Sequence, residues 1–117
     1  MIDRDPDCLF CKIVAGEIPS DQVHADDDVV AFRDIIPQAP THVLVIPRRH
    51  IPDAHALGEE DGAILARLFT VTRQVADAER LDAGYRVVTN VGEEAGQSVF
   101  HLHLHLLGGR PMHWPPG

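Results

Sequence analysis

The chain has 117 residues, of which 44% are hydrophobic, and a formal net charge of −8 at pH 7. That length supports one domain with a real core, and the composition is that of an ordinary globular protein. The acidic balance disfavours nucleic-acid and anionic-membrane partners, which want a basic face, and no apolar run approaches the about 20 residues of a membrane span.

In chain order, residues 1–7 are polar and acidic and read as a loose arm. They lack the basic and apolar regions of a signal peptide, so the expected compartment is the cytoplasm. Two cysteines, Cys8 and Cys11, do not make a disulfide framework. Residues 8–15 suit a short helix, ended by Gly16 and Pro19, with Leu9, Phe10, Ile13 and Val14 on its buried side. Residues 22–25 and 29–33 read as strands of a hairpin about Asp26-Asp27-Asp28, because Asp bonds its own backbone in turns. Pro37 and Pro40 pin the following loop. The near-continuous apolar run 42–47 reads as a central strand.

Glu59, Glu60 and Asp61 sit where a helix amino end favours negative charge. Ile64, Leu68, Val71, Val75 and Ala78 then recur at steps of four and three, one buried stripe of a long helix over about 59–80. Asp82-Ala83-Gly84 ends it, residues 85–90 form a strand, and residues 91–96 a glycine-bearing loop. Successive strands with one long helix between the third and fourth predict an α+β fold with a mainly antiparallel five-stranded sheet. The tail 110–117, with its prolines, has no regular structure beyond a turn.

The last strand carries the chemistry. In His101-Leu102-His103-Leu104-His105-Leu106-Leu107, polar and apolar residues alternate with the period of a half-buried strand. Three imidazoles share one face and three leucines the other. Histidine titrates near neutrality and is nucleophilic, so three on one face point to function. Two chemistries fit: a metal held by alternating histidines, or imidazole catalysis.

That strand resembles the signature of the histidine triad superfamily. Phe32-Arg33-Asp34-Ile35, residues 37–42, Val45-Ile46-Pro47, Asn90-Val91-Gly92, Gly96-Gln97-Ser98 and residues 107–114 resemble its nucleotide-binding branch, purine nucleoside phosphoramidases. The resemblance runs from about Cys8 to the end and implies one histidine triad domain over 1–117. It implies a homodimer whose two sheets join, and a pocket for a purine nucleotide such as AMP. The implied reaction is hydrolysis of the phosphorus–nitrogen bond of adenosine phosphoramidates, or of aminoacyl-adenylates, through a nucleotidyl-histidine intermediate.

Residue by residue, His103 matches the nucleophile. His105 contacts the phosphate, where an imidazolium would offset charge, and His42 is a fourth histidine nearby. Asn90, Gly96, Gln97 and Ser98 match a phosphate-contacting loop. Asp34 and Ile35 match ribose and base contacts, and Trp114 a tail residue reaching the partner's site. Cys8, Cys11, His50 and His101 match a structural zinc set, with His55 the competitor for His50. No cofactor is required for the chemistry itself. The competing functions are a dinucleoside polyphosphate hydrolase, a hydrolase or hydratase using zinc on the triad, and a nucleotide-binding regulatory module.

Overall fold

The structure is a computed structural model that describes residues 4–117; residues 1–3 of the expected arm lie outside it. Within residues 4–7, Asp5 is hydrogen-bonded to the start of the first helix. The Asp5 carbonyl accepts from Cys8 N–H at 3.1 Å, and Asp5 N–H donates to Cys11 Sγ at 3.4 Å. Cys8 then caps helix α1, Leu9–Val14, its sulfur accepting the Cys11 N–H.

Strands β1 (Gln22–Ala25), β2 (Val29–Arg33), β3 (Thr41–Pro47), β4 (Tyr85–Val88) and β5 (Leu104–Gly108) form one sheet in the order β1-β2-β3-β5-β4. Every pairing is antiparallel. The apolar run expected to be central is β3, buried over its whole length.

The sheet is packed on both faces, and strand alternation sorts the residues between them. Val29, Ala31, Val43, Val45, Leu104 and Leu106 share a core with Leu68, Val71 and Val75 of helix α2, Gly62–Ala78. Val30, Phe32, Leu44 and Ile46 turn the other way and pack with Phe10, Cys11 and Ile13 of α1.

Several boundaries differ from the sequence reading; the strand expected over 85–90, for one, ends at Val88. Glu59–Asp61 is a separate 3-10 turn before α2, and Asp61 closes it by accepting Gly58 N–H at 2.9 Å. The buried stripe of α2 runs through Thr72 and Ala76, while Ala78 is exposed. The histidine strand is also shorter than its alternation suggests. β5 begins only at Leu104, and its partners run out there: β4 ends opposite His105, and β3 pairs no further than Val45 with Leu104.

Upstream of that point loops take over the backbone. Leu102 N–H donates to the Ile51 carbonyl, and the Thr89 hydroxyl to the His103 carbonyl at 2.9 Å. Among the described residues no helix is long and apolar enough to cross a membrane.

Candidate functional site

The three triad histidines, with His42 and His50, divide between two clusters on the α1 side. His103 and His105 line a cleft of about 700 Å³ whose walls include Leu9, Phe10, Ile13, Phe32, Leu44 and Val99, with Asp34, Ile35 and Ser98 at its polar and outer parts. An apolar cleft with a few convergent polar groups is what a small-molecule site looks like. The His103 and His105 ring centres are 4.9 Å apart.

Hydrogen bonds fix the proton on each ring, because some partners can act in only one sense. A carbonyl only accepts, so His103 Nδ1, 2.7 Å from the His101 carbonyl, carries the hydrogen. In the neutral ring Nε2 is then the bare nitrogen. A backbone N–H only donates, so His42 Nδ1, 3.0 Å from Gln38 N, is the acceptor. Neutral His42 therefore carries its hydrogen on Nε2 and donates it to His105 Nδ1 at 2.9 Å. His105 in turn holds its own hydrogen on Nε2.

Burial lowers the pKa of His103 and His42, and holds His105 at about 4, with the neighbouring His103 and His42 acting the same way. The imidazolium expected at His105 is thus corrected: a neutral N–H donor stands there, because a desolvated cation flanked by two imidazoles is disfavoured. The neighbouring cation is also committed. Arg33 forms a two-pronged pair with Glu79, at 2.6 and 3.1 Å.

Asp34, His42 and His105 lie close enough together to suggest a metal, but the proton inventory opposes it. With His42 Nδ1 already accepting, its Nε2 could ligate only as an imidazolate. The triad does not act as one ligand set either, since His101 faces elsewhere.

His101 joins the second cluster. Its Nε2–H donates to the Pro47 carbonyl at 2.8 Å, leaving Nδ1 as a lone pair. That atom lies 3.5 Å from Cys8 Sγ, 3.6 Å from Cys11 Sγ and 3.3 Å from His50 Nδ1; Cys11 Sγ to His50 Nδ1 is 3.4 Å. A tetrahedral ion with bonds of about 2.3 Å to sulfur and about 2.0 Å to nitrogen spaces its donors at about 3.5 Å for N to S and about 3.3 Å for N to N. The four donors fit that figure. A carbonyl holding the far nitrogen of a ligating histidine is also the usual orienting arrangement.

Burial raises the Cys11 thiol pKa, aided by the adjacent Cys8, and a bound cation would reverse that. His101, held at about 4 by burial, stays neutral as a ligand must. His50 belongs to this cluster, whereas its competitor His55 is exposed on a separate turn.

The remaining expected residues fall out unevenly. Asp34 accepts the Ile36 N–H at 2.8 Å through one oxygen and holds the other 3.5 Å from His42 Nε2. Ile35 is 95% exposed at the cleft, free to cover a flat ligand. Asn90 and Gly96 stand beside each other, and Gly96 needs its φ of +98° to close the turn.

Gln97 does not offer its side chain to an anion. Both amide hydrogens are engaged, on the Pro52 and Val99 carbonyls at 2.9 and 3.2 Å, and its oxygen accepts Gly92 N–H at 2.8 Å. It braces the loop that presents Ser98. Trp114 is 82% exposed and is not among the residues lining the cleft. Its tail runs along β4, where Arg86 donates to the His113 carbonyl at 2.8 Å. Sequence reasoning missed Thr89 and the Gln38 N–H. A hydroxyl on a carbonyl and a backbone donor leave no pattern along the chain.

Comparison with known proteins extends the geometry. The family model described as HIT domain matches residues 15–112. The solved structure of a HIT family hydrolase from Legionella pneumophila Philadelphia 1 superposes with a TM-score of 0.93 at 52% identity, covering 95% of this chain and 100% of that one. An uncharacterized HIT-like protein of Synechococcus elongatus is 49% identical over 95% of this chain and 97% of its own length. A hypothetical histidine triad nucleotide-binding protein from Sulfolobus tokodaii superposes with a TM-score of 0.76 at 36% identity, covering 86% of this chain and 68% of that one.

Proposed function

The chain belongs to the HIT domain family, and from that premise we propose that it is a nucleotidyl hydrolase acting on adenosine 5′-phosphoramidates, with His103 as nucleophile. The observation that carries the reading is the wiring of His103. Its Nδ1–H is tied behind the ring to the His101 carbonyl, and the ring lines the cleft with Nε2 unprotonated.

In this reading Nε2 attacks the α-phosphorus, the P–N bond to the leaving amine breaks, and a nucleotidyl-histidine forms. Water then attacks phosphorus and the P–N bond to His103 breaks, releasing AMP. Over the cycle water supplies the hydroxyl to phosphorus and the proton to the amine. His105 Nε2–H donates to a phosphoryl oxygen, and His42 holds His105 in that tautomer. Ser98 and the backbone of the 90–98 loop, which carries Asn90 and Gly96, add neutral donors. Neutral donors suit an acidic chain, since they stabilise developing charge in a dry cleft without a buried cation. Asp34 meets the ribose, and Ile35 with the apolar wall meets the purine.

Cys8, Cys11, His50 and His101 would hold a structural Zn²⁺. A Cys2His2 set leaves no open position, so the ion would supply a cross-link and no step of turnover. A homodimer joined at the free β4 edge, with Trp114 of each copy completing the partner's cleft, is part of the same proposal. The exposure of Trp114 supports it.

Mass spectrometry of protein quenched with adenosine 5′-phosphoramidate tests the core of the reading. The expected result is an added AMP on His103, absent in His103→Ala. Turnover without any adduct on His103 sinks it. Faster cleavage of a diadenosine polyphosphate than of the phosphoramidate would move the substrate class.

A further inference from the structure

His101 is held at three atoms, and each belongs to a different part of the molecule. Its Nε2–H sits on the Pro47 carbonyl at the end of β3. Its Nδ1 points into the Cys8, Cys11 and His50 donors. Its main-chain carbonyl accepts the Nδ1–H of His103. The same residue therefore faces the donor cluster with its ring and sets the nucleophile's tautomer with its backbone.

A second link runs through α1. Phe10 stands between the two cysteines in sequence, and its ring packs edge-to-face against His103 at 5.1 Å and 83°, and against His101 at 6.0 Å and 67°. α1 is only 6 residues long, too short to persist on its own. Its position depends on its apolar side chains and on the cysteines at its start. Cross-linking Cys8 and Cys11 to His50 and His101 would fix the helix, the Phe10 ring and the His101 backbone together.

We propose that the Cys8–Cys11–His50–His101 cluster is a positioning site for His103: its occupancy by a metal decides the tautomer and ring orientation of the nucleophile, through the His101 carbonyl and the Phe10 ring. The proposal rests on the reading of His103 as nucleophile. If the carbonyl moves away, the proton of a neutral imidazole is free to sit on Nε2, which masks the attacking nitrogen. The expected signature is a change in the His103 tautomer together with reduced turnover; Leu9, Phe10 and Ile13 of α1 line the cleft, so substrate affinity weakens with them.

The test is long-range nitrogen–proton NMR on protein with ¹⁵N-labelled histidine, read alongside kcat and KM. Zn²⁺-loaded wild type is compared with chelated wild type, Cys11→Ser, His50→Ala and His50→Cys. Loaded wild type and His50→Cys, which keeps four ligands, should show His103 wholly as the Nδ1–H tautomer. Chelated protein, Cys11→Ser and His50→Ala should show mixed tautomers. Their kcat should fall about tenfold, the size of effect that small misplacement of reacting groups produces.

Metal-free protein that stays folded and keeps both the single tautomer and full kcat overturns the proposal. Should the metal-free forms fail to fold, Cd²⁺ in place of Zn²⁺ tests the same link in folded wild type. The larger ion should move the His103 ring signals and leave those of His24 and His55 in place. Unmoved His103 signals overturn it equally. The NMR reading needs no substrate, so its failure is separate from the absence of an AMP adduct.

Discussion

Leu102, Leu104 and Leu106 face α2 and are closed off in one aliphatic core with Val43, Val45, Leu68 and Val71. His101, His103 and His105 alternate with them and face α1, where, beside the Phe10 ring, the neighbours are donors and acceptors: the Pro47 and His101 carbonyls, two sulfurs, His50 and His42. One short stretch of chain thus has a side whose energy comes from area removed from water and a side whose properties come from where protons sit. The two sides should respond to different perturbations, and the leucine side is what holds the histidine side still.

The sharpest way to separate them is His103→Ala. Under the proposed mechanism turnover should fall by at least about a thousandfold, as for other nucleophile deletions, while the urea midpoint moves less than for a core leucine. A variant retaining a tenth of the wild-type rate would mean that the histidine side does not carry the reaction through residue 103.

Leu106→Ala is the converse. Leu106 is fully buried, and removing such a side chain costs about 2–5 kcal/mol through lost transfer energy and the cavity left behind. Equilibrium unfolding should show that loss, and the folded fraction should keep most of its kcat. A collapse of kcat in fully folded Leu106→Ala would show that the two sides are not separable.

Acid should strike the histidine side selectively. Burial holds both His101 and His105 at about 4 in the folded chain, below the ordinary imidazole value of about 6.5. The unfolded chain then binds more protons between those values, so the stability is present above about 6.5 and is lost as pH falls towards 4. Denaturant midpoints should drop across that window, and His105→Asn should flatten the slope. An unchanged slope in that variant would assign the acid sensitivity elsewhere.

Thr89→Val is the smallest expected effect. It removes one hydroxyl donor from the His103 carbonyl and should cost about 1 kcal/mol, with a severalfold loss of kcat. Rates equal to wild type would show that residue 103 keeps its place without that bond.

Much of this was legible along the chain. The alternation at residues 101–107 shows two faces, the four-and-three stripe shows α2, and the apolar run over 42–47 shows the central strand, because each is a period imposed by backbone geometry. Other features lay outside such patterns. The extent of β5 depends on where β3 and β4 stop. Gln97 looks like a free donor until its three partners are seen on Pro52, Val99 and Gly92. Trp114 looks like a site residue along the chain, yet it is exposed and outside the cleft lining.

The sequence by itself determined the strand and helix order, the sorting of leucines from histidines, and a set of residues rich in donors. Only the tertiary structure brought His50, matched from the sequence with His55 as competitor, to the cysteines, and decided which nitrogen of each ring carries hydrogen and that His105 stands there uncharged. A proton's position depends on the one atom across from it, often tens of residues away, and no local period encodes that atom.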